Sequence, residues 1–170
     1  MKPIYLDGAS NIPKKRKMKR RPANRPLNAK EKRHLKVFQF DKSTLKYESF
    51  IPLHQLWQGY MKALYDHRQS PEQFAHKILK ADFHGSIMTV TKSINPGFIG
   101  TTGIIIQETL NIFTFITKDN GVKKVPKSGS IFLLTTDACE STFTLYGKQL
   151  QFRAAERAVK KFKVKPTIDL

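Results

Sequence analysis

Ser86-Ile-Met-Thr-Val-Thr-Lys-Ser93, Thr102-Gly-Ile-Ile-Ile-Gln-Glu108, Ile112-Phe-Thr-Phe-Ile-Thr117, Val122-Lys-Lys-Val125, Ile131-Phe-Leu-Leu-Thr-Thr136 and Ser141-Thr-Phe-Thr-Leu-Tyr146 are the runs on which the fold turns. Each is short and rich in β-branched and aromatic residues, which suit a pleated, half-buried surface. Between them stand Asn95-Pro96-Gly97, Asn111, Asp119-Asn120-Gly121, Lys127-Ser128-Gly129 and Asp137, residues that reach positive φ cheaply or cap their own turns. Gly147-Lys148 then allows a tight return into a seventh strand over Gln149–Phe152. Six or seven short antiparallel strands in about seventy residues commonly remove their free edges by closing on themselves. The expected body is an antiparallel β-barrel. Gly100-Thr-Thr-Gly103 lacks the Lys-Ser/Thr ending of a phosphate-binding loop and any following helix, so it reads as a strand kink at a barrel corner.

Upstream of the strands the period is helical. From Pro52 to Arg68, Leu53, Leu56, Trp57, Tyr60, Met61 and Leu64 recur on one helical face, and Pro52 suits a first turn. Ser70-Pro71-Glu72-Gln73 announces a second helix, with Ser70 as cap, Phe74, Ile78 and Leu79 as its inner stripe and Gly85 as the stop. Downstream, Ala154–Lys163 is helical by composition, with Ala155, Ala158, Val159 and Phe162 expected inward and Arg157, Lys160, Lys161 and Lys163 outward. The fold class is therefore α+β: a barrel flanked by two N-terminal helices and a basic C-terminal helix.

The 170 residues carry 31 Lys+Arg against 13 Asp+Glu, a formal net charge of +18. That charge is segregated. Met1 to Lys36 holds thirteen basic residues against two acids, and Lys148 to Leu170 holds seven against two, which leaves eleven against nine between. A nearly neutral body with two basic ends is an electrostatic footprint for phosphate. Pro3, Pro13, Pro22 and Pro26 interrupt the first end, which has almost no apolar periodicity, so residues 1–36 are expected to form a disordered basic arm. Residues 37–83 then make a helical segment, and 84–170 the barrel with its C-terminal helix. Within the arm, Lys14, Lys15, Arg16, Lys17, Lys19, Arg20 and Arg21 look like a nuclear import signal and could equally coat an RNA backbone. The expected compartments are the nucleus and nucleolus.

The candidate RNA contacts are these arm cations, Lys92 on the first strand, and Arg153, Arg157, Lys160, Lys161 and Lys163 on the last helix. The last helix follows a barrel strand directly, so a rigid element sets its position. Arg153 and Arg157 lie one turn apart and could each fork onto a phosphate. Cys139 is the single cysteine, which excludes an internal disulfide and a cysteine zinc site within the chain. His34, His54, His67, His76 and His84 fall in no metal-ligand spacing, so no metal and no other cofactor is expected on this chain. His84 reads as a boundary residue. Glu108, Asp119, Asp137 and Glu140 show no shared strand face that would pair their carboxylates, and nothing points to a nuclease centre. No apolar run approaches the roughly 20 residues of a membrane span, and Met1–Asn11 lacks the apolar core of a secretory signal. The expectation is a soluble intracellular protein.

In combination, His84-Gly-Ser-Ile-Met-Thr-Val-Thr-Lys-Ser93, Asn95-Pro-Gly-Phe-Ile-Gly100, Gly103-Ile-Ile-Ile-Gln-Glu-Thr109, Val125-Pro126-Lys127, Tyr146-Gly147 and Arg153-Ala-Ala-Glu-Arg157 through Lys165-Pro-Thr-Ile-Asp-Leu170 resemble the twenty-nine-kilodalton protein subunits of ribonuclease P, shared in eukaryotes with ribonuclease MRP. The resemblance covers roughly His84 to the C-terminus; Pro52–Asp82 is similar in pattern alone. It implies an Sm-like barrel and a non-catalytic role in 5′ maturation of precursor tRNA, in which the catalytic RNA holds magnesium and the proteins support its fold and grip substrate. The implied partners are the ribonuclease P and MRP RNAs, precursor tRNA, other ribonuclease P proteins and a small zinc-ribbon subunit. The implied partner surface draws on N-terminal helical elements and barrel strands, which adds Leu53, Leu56, Trp57, Tyr60, Met61 and Leu64 as candidate partner contacts. The rival reading from residues alone is a structural RNA-binding protein of another ribonucleoprotein, such as the ribosome. A stand-alone nuclease is disfavoured by the carboxylates.

Overall fold

A computed structural model of the chain describes residues 26–37, 40, 45–138 and 141–162. Two compact units divide it, Met1–Gln39 and Phe40–Leu170. In the first, residues 29–34 form helix α1 (Ala29–His34), with no buried side chain. The disordered arm expected through Lys36 is therefore corrected over this stretch. Its cause is a capping box: the Glu31 amide donates to Asn28 Oδ1 at 2.8 Å, and the Asn28 amide donates to Glu31 Oε2 at 3.0 Å. Lys14, Lys15, Arg16, Lys17, Lys19, Arg20 and Arg21 lie outside the described residues.

Among its described residues the second unit holds six antiparallel strands, β1 (Ile87–Ser93), β2 (Thr102–Glu108), β3 (Ile112–Ile116), β4 (Val122–Pro126), β5 (Ser130–Thr135) and β6 (Thr142–Tyr146), in the sheet order β4-β3-β2-β1-β5-β6. All six expected runs are strands to within a residue at either end. Bulges at Val90/Lys92 and Ile105/Gln107 bend the two central strands. Among the described residues no ladder joins β4 to β6, so backbone pairing does not close the barrel.

The expected seventh strand is instead a 3-10 turn, Gly147–Leu150. Two contacts account for this. Gly147 lies so close to the chain after β4 that a Cβ there would meet the carbonyl oxygens of Lys127 at 2.0 Å and Ser130 at 2.7 Å. Lys127 Nζ donates to the Leu150 carbonyl at 2.9 Å and to the Phe152 carbonyl at 2.8 Å, the acceptors a ladder would have used.

One core serves sheet and helices alike. Phe113, Phe115 and Phe132 meet at its centre, with Phe113 edge-on to Phe132 at 5.2 Å. Trp57 and Met61 from helix α2 (Ile51–Leu64) and Phe74 and Ile78 from helix α3 (Pro71–Lys80) join the same cluster. Each such side chain contributes about 1.5–3 kcal/mol of burial, so the helical segment is structurally continuous with the sheet. Helix α2 stops short of the expected Arg68 because the Asp66 carboxylate accepts the Arg68 amide at 3.0 Å, a local turn that competes with the helix. Helix α3 starts as expected, with Ser70 Oγ accepting the Gln73 amide at 3.4 Å. Gly85, at φ +88°, turns the chain into β1, where a Cβ would come within 2.7 Å of the Leu53 carbonyl oxygen.

Helix α4 (Ala154–Val159) is shorter than expected and turned the other way. Arg157 is fully buried, whereas Ala155, Ala158 and Val159 are exposed, Val159 at 83%. This corrects both the expected inward stripe and the expectation that Arg157 faces RNA.

Candidate nucleic-acid interface and the buried charge cluster behind it

Of the candidate RNA contacts that are described, Lys92, Arg153 and Lys161 are exposed. Lys160 is half-buried, its ammonium 3.9 Å from the centre of the Phe152 ring. Lys163 lies outside the described residues. Arg153 precedes α4, where its amide donates to Glu156 Oε2 at 3.3 Å and fixes the helix start. The structure thus brings Arg153, Lys160 and Lys161 onto one short segment and leaves Lys92 on the sheet. Lys118, Lys123 and Lys124, none of them singled out in the sequence, add exposed charge on and beside edge strand β4. Lysines together with Pro126 on an edge strand also discourage unwanted pairing.

Behind this surface lies a cluster that no motif announces. Glu108 ends β2 with its side chain fully buried, as are those of its two cationic partners, Lys127 and Arg157. Lys127 Nζ donates to Glu108 Oε1 at 2.9 Å, which together with the Leu150 and Phe152 carbonyls satisfies all three of its donors. Arg157 Nη2 donates to Glu108 Oε2 at 2.7 Å and Nε to Oε1 at 3.2 Å, a forked pair. Its Nη1 donates to the carbonyls of Leu79, at 3.0 Å, and Ala81 at the end of α3.

Two cations against one carboxylate leave a surplus buried charge, and two aromatic faces receive it. Arg157 lies 4.0 Å from the centre of the Phe83 ring and Lys127 4.5 Å from that of Phe113. Burial pushes the Lys127 ammonium down from its usual pKa, and the Glu108 hydrogen bond opposes that. The one signal available in sequence was Glu108 itself, the single acid among the six strand runs, at the end of Thr102–Glu108.

Asp82 and His84 border the cluster. His84 Nδ1 donates to Asp82 Oδ1 at 2.6 Å, and its Nε2 accepts the Glu108 amide at 3.2 Å. The hydrogen bond to Asp82 raises the His84 pKa while burial opposes; the same bond holds the Asp82 carboxyl below its usual value. One ligand atom from each of Asp82, His84 and Glu108 lies within 4.8 Å of the others, a spacing a metal ion could use. The donors do not suit one. Both Glu108 oxygens are held by buried cations, and an added divalent ion would meet Arg157 and Lys127 at close range.

The candidate partner stripe on α2 is split. Trp57 and Met61 are buried, with Trp57 Nε1 donating to the Asp82 carbonyl at 2.8 Å, and Leu53 and Leu64 are half-buried. Leu56 at 71% and Tyr60 at 41% are exposed, beside Ile51 at 39%. A Cβ on Gly59, between Leu56 and Tyr60, would meet nothing within 4 Å. A glycine inside a helix costs about 1 kcal/mol, and no packing within the described chain requires one here.

The family described as ribonuclease P/MRP, subunit p29, matches residues 76–160. The ribonuclease P protein subunit p29 of Homo sapiens is 42% identical over 92% of this chain and 71% of its own length. A probable ribonuclease P protein subunit 1 of Schizosaccharomyces pombe is 33% identical over 99% of this chain and 79% of its own. A solved structure described as a homologue of human RNase P protein Rpp29 aligns with 45% of this chain and 97% of that one, at 23% identity and a TM-score of 0.36.

Proposed function

The chain belongs to the ribonuclease P/MRP subunit p29 family, and we propose that it serves as a non-catalytic RNA-binding subunit of ribonuclease P, and of ribonuclease MRP, supporting the catalytic RNA and its grip on precursor tRNA. The observation that carries this reading is the Glu108 cluster: in the one group of ligand-type side chains brought together among the described residues, both Glu108 oxygens are already held by Lys127 and Arg157, which argues against a metal-binding centre for phosphodiester hydrolysis there. Magnesium then belongs to the catalytic RNA. The role of this chain is to neutralise phosphates through Lys92, Arg153, Lys160, Lys161, the edge lysines of β4 and the basic arm, and to do so in the nucleus and nucleolus.

The exposed Leu56 and Tyr60, with Gly59 between them, support a protein partner on α2, and the small zinc-ribbon subunit is the partner proposed. An Sm-like barrel is the architecture this reading assigns to the bent sheet. The test is reconstitution: the chain alone should not cleave precursor tRNA, and with its companion subunits and the cognate catalytic RNA it should raise processing most at low magnesium. Sequencing the RNA that coprecipitates with the chain should return ribonuclease P and MRP RNAs; ribosomal RNA alone would refute the assignment.

A further inference from the structure

We infer that the outer face of the β2-β1-β5-β6 part of the sheet contacts ribose and distinguishes RNA from DNA, an inference that rests on the RNA-binding reading above. Register places Thr102, Thr89, Leu133 and Thr144 in one row across the four strands, and Lys92, Ile131 and Tyr146 in the next. Directly opposed residues of antiparallel strands share a face. Met88, Val90, Phe132, Leu134 and Leu145 occupy the core side, so both rows point away from it; Thr102, Thr144 and Lys92 are exposed there, Thr89, Leu133 and Tyr146 are half-buried, and Ile131 is buried. Thr135 opposite Thr142 extends the surface, and Thr91 at the β1 bulge is exposed.

Strand propensity explains threonine at these positions but not the charge pattern. A chain with 31 basic and 13 acidic residues has only Lys92 charged among the residues just named, and no carboxylate. Thr–Thr hydrogen bonds and opposite-charge pairs both occur across solvated strands, and this face uses the first almost alone. Phosphate is matched by cations, which this face scarcely has. A ribose 2′-hydroxyl is matched by groups that both donate and accept, and rows of threonine hydroxyls are that. Thr89 and Thr102 lie 2.9 Å apart, oxygen to oxygen, so one hydroxyl donates to the other and the pair retains a free hydrogen and lone pairs for a third hydroxyl. Charge complementarity thus favours RNA here through its sugar edge, with phosphates falling to the cations elsewhere.

The test compares the full chain's affinity for an RNA hairpin, the same hairpin in 2′-deoxy form, and the RNA hairpin carrying 2′-O-methyl groups. The wild-type chain should prefer the RNA over both. The triple variant Thr89→Val, Thr102→Val, Thr144→Val keeps side-chain shape and strand propensity, and should lower the RNA-to-DNA affinity ratio about tenfold while leaving the salt dependence of RNA binding unchanged. Equal wild-type affinity for the RNA and 2′-O-methyl hairpins, or an unchanged ratio in the folded variant, would overturn the inference and leave RNA binding standing. A chain that bound none of the hairpins would sink the RNA-binding reading as well. The 2′-O-methyl arm needs no variant, so the outcome does not hang on the triple substitution folding.

Discussion

Helix α2 turns Trp57 and Met61 into the core and leaves Leu56 and Tyr60 outside, whereas α4 buries Arg157 and exposes Val159. Both segments read as amphipathic in the sequence, with apolar residues expected inward. The difference is one of length and alternatives. With 14 residues and about four turns, α2 has enough apolar area for the hydrophobic effect to set its rotation, even though the stripe is wider than the core can cover. With six residues, α4 has little to gain from its alanines and a valine. A forked Arg157–Glu108 pair, two carbonyl acceptors and the Phe83 ring together outweigh that gain and rotate the helix onto its arginine.

The sharpest way to break this comparison is Arg157→Ala. It leaves Glu108 buried with Lys127 alone and frees the α3 carbonyls, and truncating one member of a buried ion pair costs about 3–5 kcal/mol. Chemical denaturation should show that drop in stability, and a change under about 1 kcal/mol would mean that α4 is held by something else. Met61→Ala should cost about 2–4 kcal/mol through the cavity it leaves, while Leu56→Ala, at a position 71% exposed, should shift stability by less than about 0.5 kcal/mol. Leu56→Ala should instead weaken capture of the zinc-ribbon subunit in a pull-down.

Charge on the C-terminal segment is next in size. Because Arg157 is structural, a variant meant to remove surface charge should change Arg153, Lys160 and Lys161 to Gln and spare it. That variant should melt close to wild type yet bind RNA more weakly, and its dependence on log salt should be shallower by roughly 0.7–0.9 for each phosphate that is no longer neutralised.

The smallest effect is on pH. The His84 pKa is raised, so its contribution to stability is complete below the unfolded value near 6.5 and fades as pH rises through the higher folded value. The Asp82 pKa is lowered, so its contribution is complete above the unfolded value near 3.8 and fades as pH falls through the lower folded one. Stability from this pair should therefore be greatest between those limits. His84→Gln should flatten both shoulders in melts followed across pH, and unaltered shoulders would assign them to other groups.

Much of the body was legible from residue type and spacing. The six strand runs, their turns and the two N-terminal helices follow from periodicity and from Asn, Gly and Pro at fixed offsets, which act over a few residues and so are written locally. The α1 capping box was legible too: Asn28 and Glu31 stand three apart, but their signal sat inside a run otherwise dominated by charge. The segregation of charge was legible, and which of the candidate cations stay exposed was not. Nothing local tells Arg153, which is exposed, from Arg157, which is buried, four residues on.

The sequence by itself determined the strand and helix periods, the two basic ends and, through its match to known relatives, the family. Only the tertiary structure decided that Gln149–Phe152 would forgo a seventh strand, that Arg157 and Lys127 would share Glu108, and that α4 would turn its valine to solvent. Those outcomes depend on Glu108, Lys127 and Arg157 meeting across separations of 19 and 49 residues. A buried charge must find its counter-charge and acceptors wherever the fold brings them, and no local pattern along the chain encodes that meeting.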